Sequence, residues 1–157
     1  MLALRRPARG VGRGGRPDDR IVTLVTSAVS FVWLGMVLAI SFLEAPLKFR
    51  APGMTVRLGL AVGRVVFRAL NIVELVLLLL MVASVVAAPR VVVAGLTGAL
   101  AAVLVVQLGV VRPVLNRRSA RVLAGEELPR SRGHLVYVGL EVVKVVLLVA
   151  TGWLATP

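Results

Sequence analysis

Long, nearly uninterrupted apolar runs constrain this chain more than any other feature of its sequence. One of them, LVLLLLMVASVVAA, holds no charged residue at all. A helix of a soluble protein keeps a polar face, so its apolar residues recur at intervals, whereas a helix that crosses a bilayer needs about 20 mostly apolar residues. The chain has 157 residues, of which 59% are hydrophobic, so four such helices and their connections fit. We predict an all-α membrane protein, an antiparallel bundle of four transmembrane helices.

Prolines and charges mark where these helices should end. We expect spans at about 21–43, 66–88, 91–111 and 134–154, forming one domain over 21–157 behind a disordered basic tail at 1–20. Pro46 and the charges around it should stop the first helix, because proline lacks the N–H that continues a helix. Arg112-Pro113 should stop the third helix in the same way and leave a basic loop at 114–133. The layout of two helical hairpins also hints at an internal duplication.

The second helix has a different beginning. Its helical pattern starts near Thr55, well before the apolar run, and this first part carries Arg57, Arg64 and Arg68. A basic amphipathic segment of this kind lies at a membrane surface. We therefore predict an amphipathic beginning that leads into the second span.

Charge and composition exclude several classes of function. The net charge is +12 and there is no cysteine, so disulfides and thiolate metal sites are excluded. In a membrane protein, arginines outside the spans are expected as topology determinants and as contacts to anionic lipid headgroups, so we predict the bilayer as the partner and no nucleic acid. The tail and the loops favour opposite orientations, with a slight preference for the N-terminus inside. We expect a multi-pass protein of a bacterial plasma membrane, and a homo-oligomer is left open.

Ionisable and polar side chains inside the spans fall on two stripes. Such groups are costly in a bilayer and normally face protein or water. The stripe on the second helix consists of Arg64, Arg68, Asn71 and Glu74. The stripe on the fourth helix consists of His134, Tyr137, Glu141 and Lys144, and the third helix adds Gln107. His134 is the only histidine, so we predict no metal site and no cofactor.

Acid and base on both stripes predict that the second and fourth helices are packed against each other. One interpretation is a self-neutralising network of Arg68, Glu74, Glu141 and Lys144 that fixes helix rotation, with Glu141 and Lys144 paired at i, i+3. A second is a proton- or ion-responsive cavity in which Glu74 or Glu141 titrates. A third applies to Arg64 and Arg68 alone, whose long side chains reach the interface by snorkelling.

Two short motifs carry a family resemblance. The first comprises Trp33, Gly35, Phe42, Pro46 and Phe49, and the second comprises Arg112 and Pro113 after Gln107, followed by Asn116, Gly125, Glu126 and a helix that opens at His134. In this order, over roughly residues 28–152, the chain resembles the bacterial four-helix membrane family of unknown function related to eukaryotic transmembrane protein 205. The Ala-Pro pair at 45–46 also resembles the family akin to anthrone oxygenases. The resemblance implies a four-helix membrane fold and no settled activity.

Three functions remain open at this point. The first is a structural or accessory membrane protein with no enzymatic activity, whose polar network holds the helices together. The second is a small proton-coupled or drug and cation transporter that works as an oligomer. The third is an oxygenase-like membrane oxidoreductase, for which the sequence offers no evident set of cofactor ligands and no catalytic residues.

Overall fold

Four long apolar helices make up the part of the protein that the structure describes. In the computed structural model, which describes residues 17–126 and 133–156, the helices long and apolar enough to cross a membrane are Asp18–Arg50, Val56–Ala87, Val91–Leu123 and Leu135–Leu154. We call these the first to fourth spans. They confirm the predicted all-α four-helix fold of a multi-pass membrane protein. Residues 1–16 of the predicted tail lie outside the described residues, while Pro17 to Arg20 already belong to the first helix.

The first and third spans continue past the prolines that were predicted to end them. Each changes to π-helix just before its proline, over Leu38–Glu44 and over Gln107–Val111. There the N–H of Ala45 donates to the carbonyl of Ile40, and that of Arg112 donates to the carbonyl of Gln107, five residues back in both cases. The wider turn gives room for the proline ring, which in an α-helix would meet the carbonyl four residues back.

These π segments change both predicted boundaries. Pro46 lies within the short α-helix Ala45–Leu47, and the first span continues from there into a 3₁₀ turn, Lys48–Arg50. Pro113 lies in the first turn of the α-helix Arg112–Leu123, through which the third span continues. The predicted loop at 114–133 was therefore wrong in its first ten residues, because a proline that follows a π turn does not stop a helix.

The second span is a single α-helix, Val56–Ala87, capped by the side chain of Thr55, which accepts a hydrogen bond from the N–H of Leu58. Its 32 residues are about 48 Å long at ~1.5 Å per residue, against a hydrocarbon core of about 30 Å. The arginines of this helix lie in its N-terminal part, so we assign the surplus to that end, where Arg57 donates to the carbonyl of Leu123 at 2.5 Å. We call this end of the bundle, where the first and third spans finish and the second and fourth begin, the basic end.

The helices form a square in which the second and fourth spans are diagonal to each other. The first span packs against the second and the fourth, and the third packs against the same two. Within the described residues, the second and fourth spans make no comparable backbone contact. The prediction that they are neighbours was wrong, because their charged side chains are long enough to meet across the bundle axis.

The first and fourth spans pack closely against each other. The hydroxyl of Ser27 donates to the carbonyl of Gly152 at 3.1 Å, and a Cβ built on Gly152 would lie 2.9 Å from Cζ of Phe31. Gly95 and Gly98 of the third span, by contrast, face open space. An apolar core of residues such as Met81, Leu100 and Leu148 fills the bundle beside this contact.

A shift of 67 positions superimposes the buried positions of one hairpin on those of the other. Pro46 falls on Pro113, each beside its π segment, and Glu74 falls on Glu141. Further buried pairs are Ser30 with Thr97, Val37 with Leu104, Leu70 with Tyr137, Met81 with Leu148, and Ser84 with Thr151. Equivalent helices are the diagonal ones, as in parallel repeats related by an axis along the membrane normal. This pattern supports the internal duplication that the layout of the sequence suggested.

Candidate functional site: a buried charged cluster at the bundle centre

A lysine and two glutamates meet at the centre of the bundle, entirely shielded from solvent. The ammonium group of Lys144 donates to Oε1 of Glu74 and lies 3.1 Å from Oε2 of Glu141. All three side chains have an exposure of 0%. Glu141 and Lys144 are one turn apart on the fourth span, and Glu74 reaches them from the diagonal second span. The pairing expected between Glu141 and Lys144 is therefore present, with a carboxylate added from across the axis.

The other two spans contribute one neutral donor each. Nε1 of Trp33, on the first span, donates to Oε1 of Glu74 at 3.0 Å, and Nε2 of Gln107, on the third, donates to Oε1 of Glu141 at 2.7 Å. Both side chains are fully buried. Gln107 is the first residue of its π segment, and such segments often occur where a side chain serves a specific contact. We call these five residues, Trp33, Glu74, Gln107, Glu141 and Lys144, the central cluster.

The central cluster contains more acid than base. It has two carboxylates and one ammonium, and Glu74 Oε2 and Gln107 Oε1 accept no hydrogen bond from the described residues. The repeat explains the imbalance: Glu74 corresponds to Glu141, whereas the position equivalent to Lys144 is Leu77. A charge of either sign is costly at bilayer depth unless it is paired, so the single lysine serves both acids.

A ladder of alternating cations and aromatic rings lies between the central cluster and the basic end. The guanidinium of Arg112 lies 5.1 Å from the ring centre of Phe67 and 5.8 Å from that of Tyr137, and these two rings meet edge to face at 5.4 Å. On the other side of Phe67, the ammonium of Lys48 lies 5.5 Å from its ring centre and 5.7 Å from that of Phe49. Such cation–π contacts stabilise cations that leave water. Of the two cations, Arg112 is the one that contacts Tyr137, which lies one turn before Glu141 of the central cluster.

The remaining residues of the two predicted stripes lie outside the central cluster. Arg64 and Arg68 are exposed, so the predicted network was wrong to include Arg68. Asn71 is half-buried, and its Oδ1 accepts no hydrogen bond within the described part of the chain. Tyr137 belongs to the ladder. His134 opens the fourth helix, but its side chain lies outside the described residues.

The residues of the family-like motif lie in the central cluster, in the ladder, beside the π segments and on the outside of the first span. Trp33 and Arg112 contribute to the central cluster and the ladder, Phe49 ends the ladder, and Pro46 and Pro113 follow the π segments. Gly35 and Phe42 are exposed on the outside of the first span.

Sequence reasoning placed Trp33 only in the family-like motif and missed its hydrogen bond to Glu74. The signal that could have located the cluster is the repeat, because Pro46 precedes Glu74 by the same 28 positions that separate Pro113 from Glu141. Among residues 17–126 and 133–156, no three His, Asp or Glu side chains gather as metal ligands. Comparison of the chain with models of protein families, with curated proteins and with solved structures finds no match.

Proposed function

We propose that this protein is a structural or accessory component of a bacterial plasma membrane, in which the central cluster fixes the mutual rotation of four helices. The observation that carries the proposal is that every span supplies one or more members of the cluster, and that all members are fully buried. A network of hydrogen bonds and ion pairs to which each helix contributes a donor or an acceptor specifies one arrangement of the bundle. Polar contacts between helices in membranes are a recognised means of association.

The unequal number of acids and bases gives this proposal a distinctive test. Removing one acid, as in Glu141→Gln, leaves Glu74 and Lys144 as a balanced pair, and the glutamine still accepts hydrogen bonds. The variant should fold and unfold like the wild-type protein, within about 1.7 kcal/mol, the upper range for single interhelical hydrogen bonds. The measurement is unfolding of purified protein in mixed micelles, followed by circular dichroism. A loss of stability well beyond this range would contradict the account in which one of the two acids can be removed from the network without damage to the fold.

A second candidate function is a small proton-coupled transporter. The surplus carboxylate supports it, because a cluster with two acids and one amine has a site where a proton can be held. A cavity near the basic end supports it further, since Asn71 and Arg112 line that cavity and Arg112 is in contact with Tyr137, one turn from Glu141.

The transporter candidate is tested in proteoliposomes. A pH gradient should drive the flux of a cation or a cationic drug, and Glu74→Gln or Glu141→Gln should abolish it while the protein still folds. A protein without flux in a panel of such solutes would leave the architectural function alone. The resemblance to the family related to transmembrane protein 205 stays a prediction, and it adds no activity to either candidate.

A further inference from the structure

Two exposed arginines of the second span, Arg64 and Arg68, line a cavity and have no counter-ion among the described residues. Arg64 and Arg68 make no ion pair with an acidic side chain of the described residues. Together with Arg112, Asn71 and Asn116, they line a cavity of about 310 Å³ between the second and third spans. Within the described part of the chain, no acidic residue lines it. A cavity with three guanidinium groups and two amides attracts an anion, and arginine is the residue best suited to bind phosphate oxygens.

The depth of the cavity indicates the kind of anion. Twenty residues counted back from Ala87, the end of the second span, reach Arg68, and about 20 residues cross the hydrocarbon core. Arg68 and Arg64 therefore lie at and just beyond the boundary of the hydrocarbon, at the height of lipid phosphates.

The wall of the cavity changes from polar near the arginines to apolar towards the middle of the bundle. Below the arginines, towards the middle of the bundle, it is lined by Ile72, Leu75 and Leu108. Ile72 is 60% exposed and Leu75 is 46% exposed. A soluble phosphate would use only the polar part. An acyl chain attached to the phosphate would cover the apolar part.

The junction between the second and third spans is looser than its equivalent in the repeat and has room for a bound lipid. The first and fourth spans are in close contact, as at Ser27 and Gly152, whereas the second and third spans, their equivalents in the other half, are less closely packed. The cavity occupies this looser junction.

We propose that the groove between the second and third spans is a specific binding site for an anionic phospholipid. Arg64 and Arg68 bind the phosphate, Asn71, Arg112 and Asn116 line the site beside it, and the acyl chain lies along Ile72, Leu75 and Leu108. Arg64 and Arg68, which make no ion pair with a described acid, supply two positive charges. A headgroup with two negative charges matches them. This proposal does not depend on either candidate function.

The test is retention of cardiolipin, which carries two phosphates, by purified protein in native mass spectrometry, with phosphatidylcholine as the zwitterionic comparison. Arg64→Gln/Arg68→Gln should weaken cardiolipin retention about 30-fold, which corresponds to about 2 kcal/mol for two basic residues near the membrane surface. The matched control is Arg50→Gln/Arg117→Gln, which removes the same charge from exposed positions at the basic end, outside the cavity. The control should retain cardiolipin as the wild-type protein does.

Three results would overturn the proposal. Equal loss in both double variants would mean that net charge, and not the cavity, holds the lipid. Equal retention of phosphatidylcholine and cardiolipin would remove the role of the headgroup charge. Thermal stabilisation by millimolar glycerol 3-phosphate as large as that by cardiolipin, abolished in Arg64→Gln/Arg68→Gln, would assign the site to a soluble phosphate compound.

Discussion

Replacement of Lys144 by methionine isolates the charge at the bundle centre. Methionine has nearly the length of lysine and fills the same space, so the change removes the ammonium group with little loss of packing. Glu74 and Glu141 would then face each other at 0% exposure without a cation between them. Breaking a buried ion pair by removal of one partner costs about 3–5 kcal/mol, because the remaining charge is left without compensation.

The expected order of stability follows from counting charges. Glu141→Gln leaves one acid with one amine and should lose little, whereas Lys144→Met leaves two acids with none and should lose about 3–5 kcal/mol. The triple variant Lys144→Met/Glu74→Gln/Glu141→Gln removes every charge of the central cluster. It should return to within about 2 kcal/mol of the wild-type protein, since neutral hydrogen bonds between membrane helices contribute only about 0.6 kcal/mol each.

The assay is equilibrium unfolding by sodium dodecyl sulfate in mixed micelles, followed by far-UV circular dichroism, with all variants at one protein concentration. Two results would refute the reasoning. If Lys144→Met unfolds within about 1 kcal/mol of the wild-type protein, the lysine does not compensate both acids. If the triple variant is as unstable as Lys144→Met, the loss comes from packing and not from charge.

Three further changes test separate parts of the structure in the same unfolding assay. Trp33→Phe keeps an aromatic ring but removes the N–H that donates to Glu74 at 3.0 Å. The free energy of unfolding should fall by about 1.5–3 kcal/mol, the usual contribution of a hydrogen bond to a charged group. An unchanged unfolding midpoint would contradict this bond. Gly152→Val places a branched side chain whose Cβ lies 2.9 Å from the ring of Phe31. The overpacking should lower the free energy of unfolding by about 1–3 kcal/mol. Gly152→Ala should lower it less, because Phe31 is 44% exposed and its ring can move. Arg68→Gln, assayed without added lipid, should stay within about 0.5 kcal/mol of the wild-type protein, as surface changes do; a larger loss would place Arg68 in the helix network after all.

Helix number and approximate position followed directly from the apolar runs, because a bilayer leaves few other uses for such segments. Helix ends did not. Pro46 and Pro113 were taken as stops on the rule that proline breaks an α-helix, but that rule concerns the carbonyl four residues back. A π turn moves the hydrogen bond to the fifth residue, and nothing in the local sequence of Leu38–Glu44 or Gln107–Val111 announces that turn.

The members of the central cluster were mostly predictable, whereas their geometry was not. Glu74, Gln107, Glu141 and Lys144 were identified because ionisable and polar groups are rare in apolar helices. Arg68 was grouped with them because helical periodicity gives the face on which a residue lies, but not how that face is turned towards the other helices. Diagonal packing was hidden for the same reason, since it depends on how far a side chain reaches across the axis.

The single lysine of the central cluster also bears on how such a bundle can be assembled. Two identical hairpins joined as a symmetric pair would hold every charged group twice, so their centre would have two acids with two amines, or two acids with none. One amine between two acids is closed to a pair of identical hairpins but open to a fused chain, in which one half can change at a position while the other keeps Leu77. Covalent linkage of the hairpins therefore allows unequal numbers of acids and amines at the centre of the bundle.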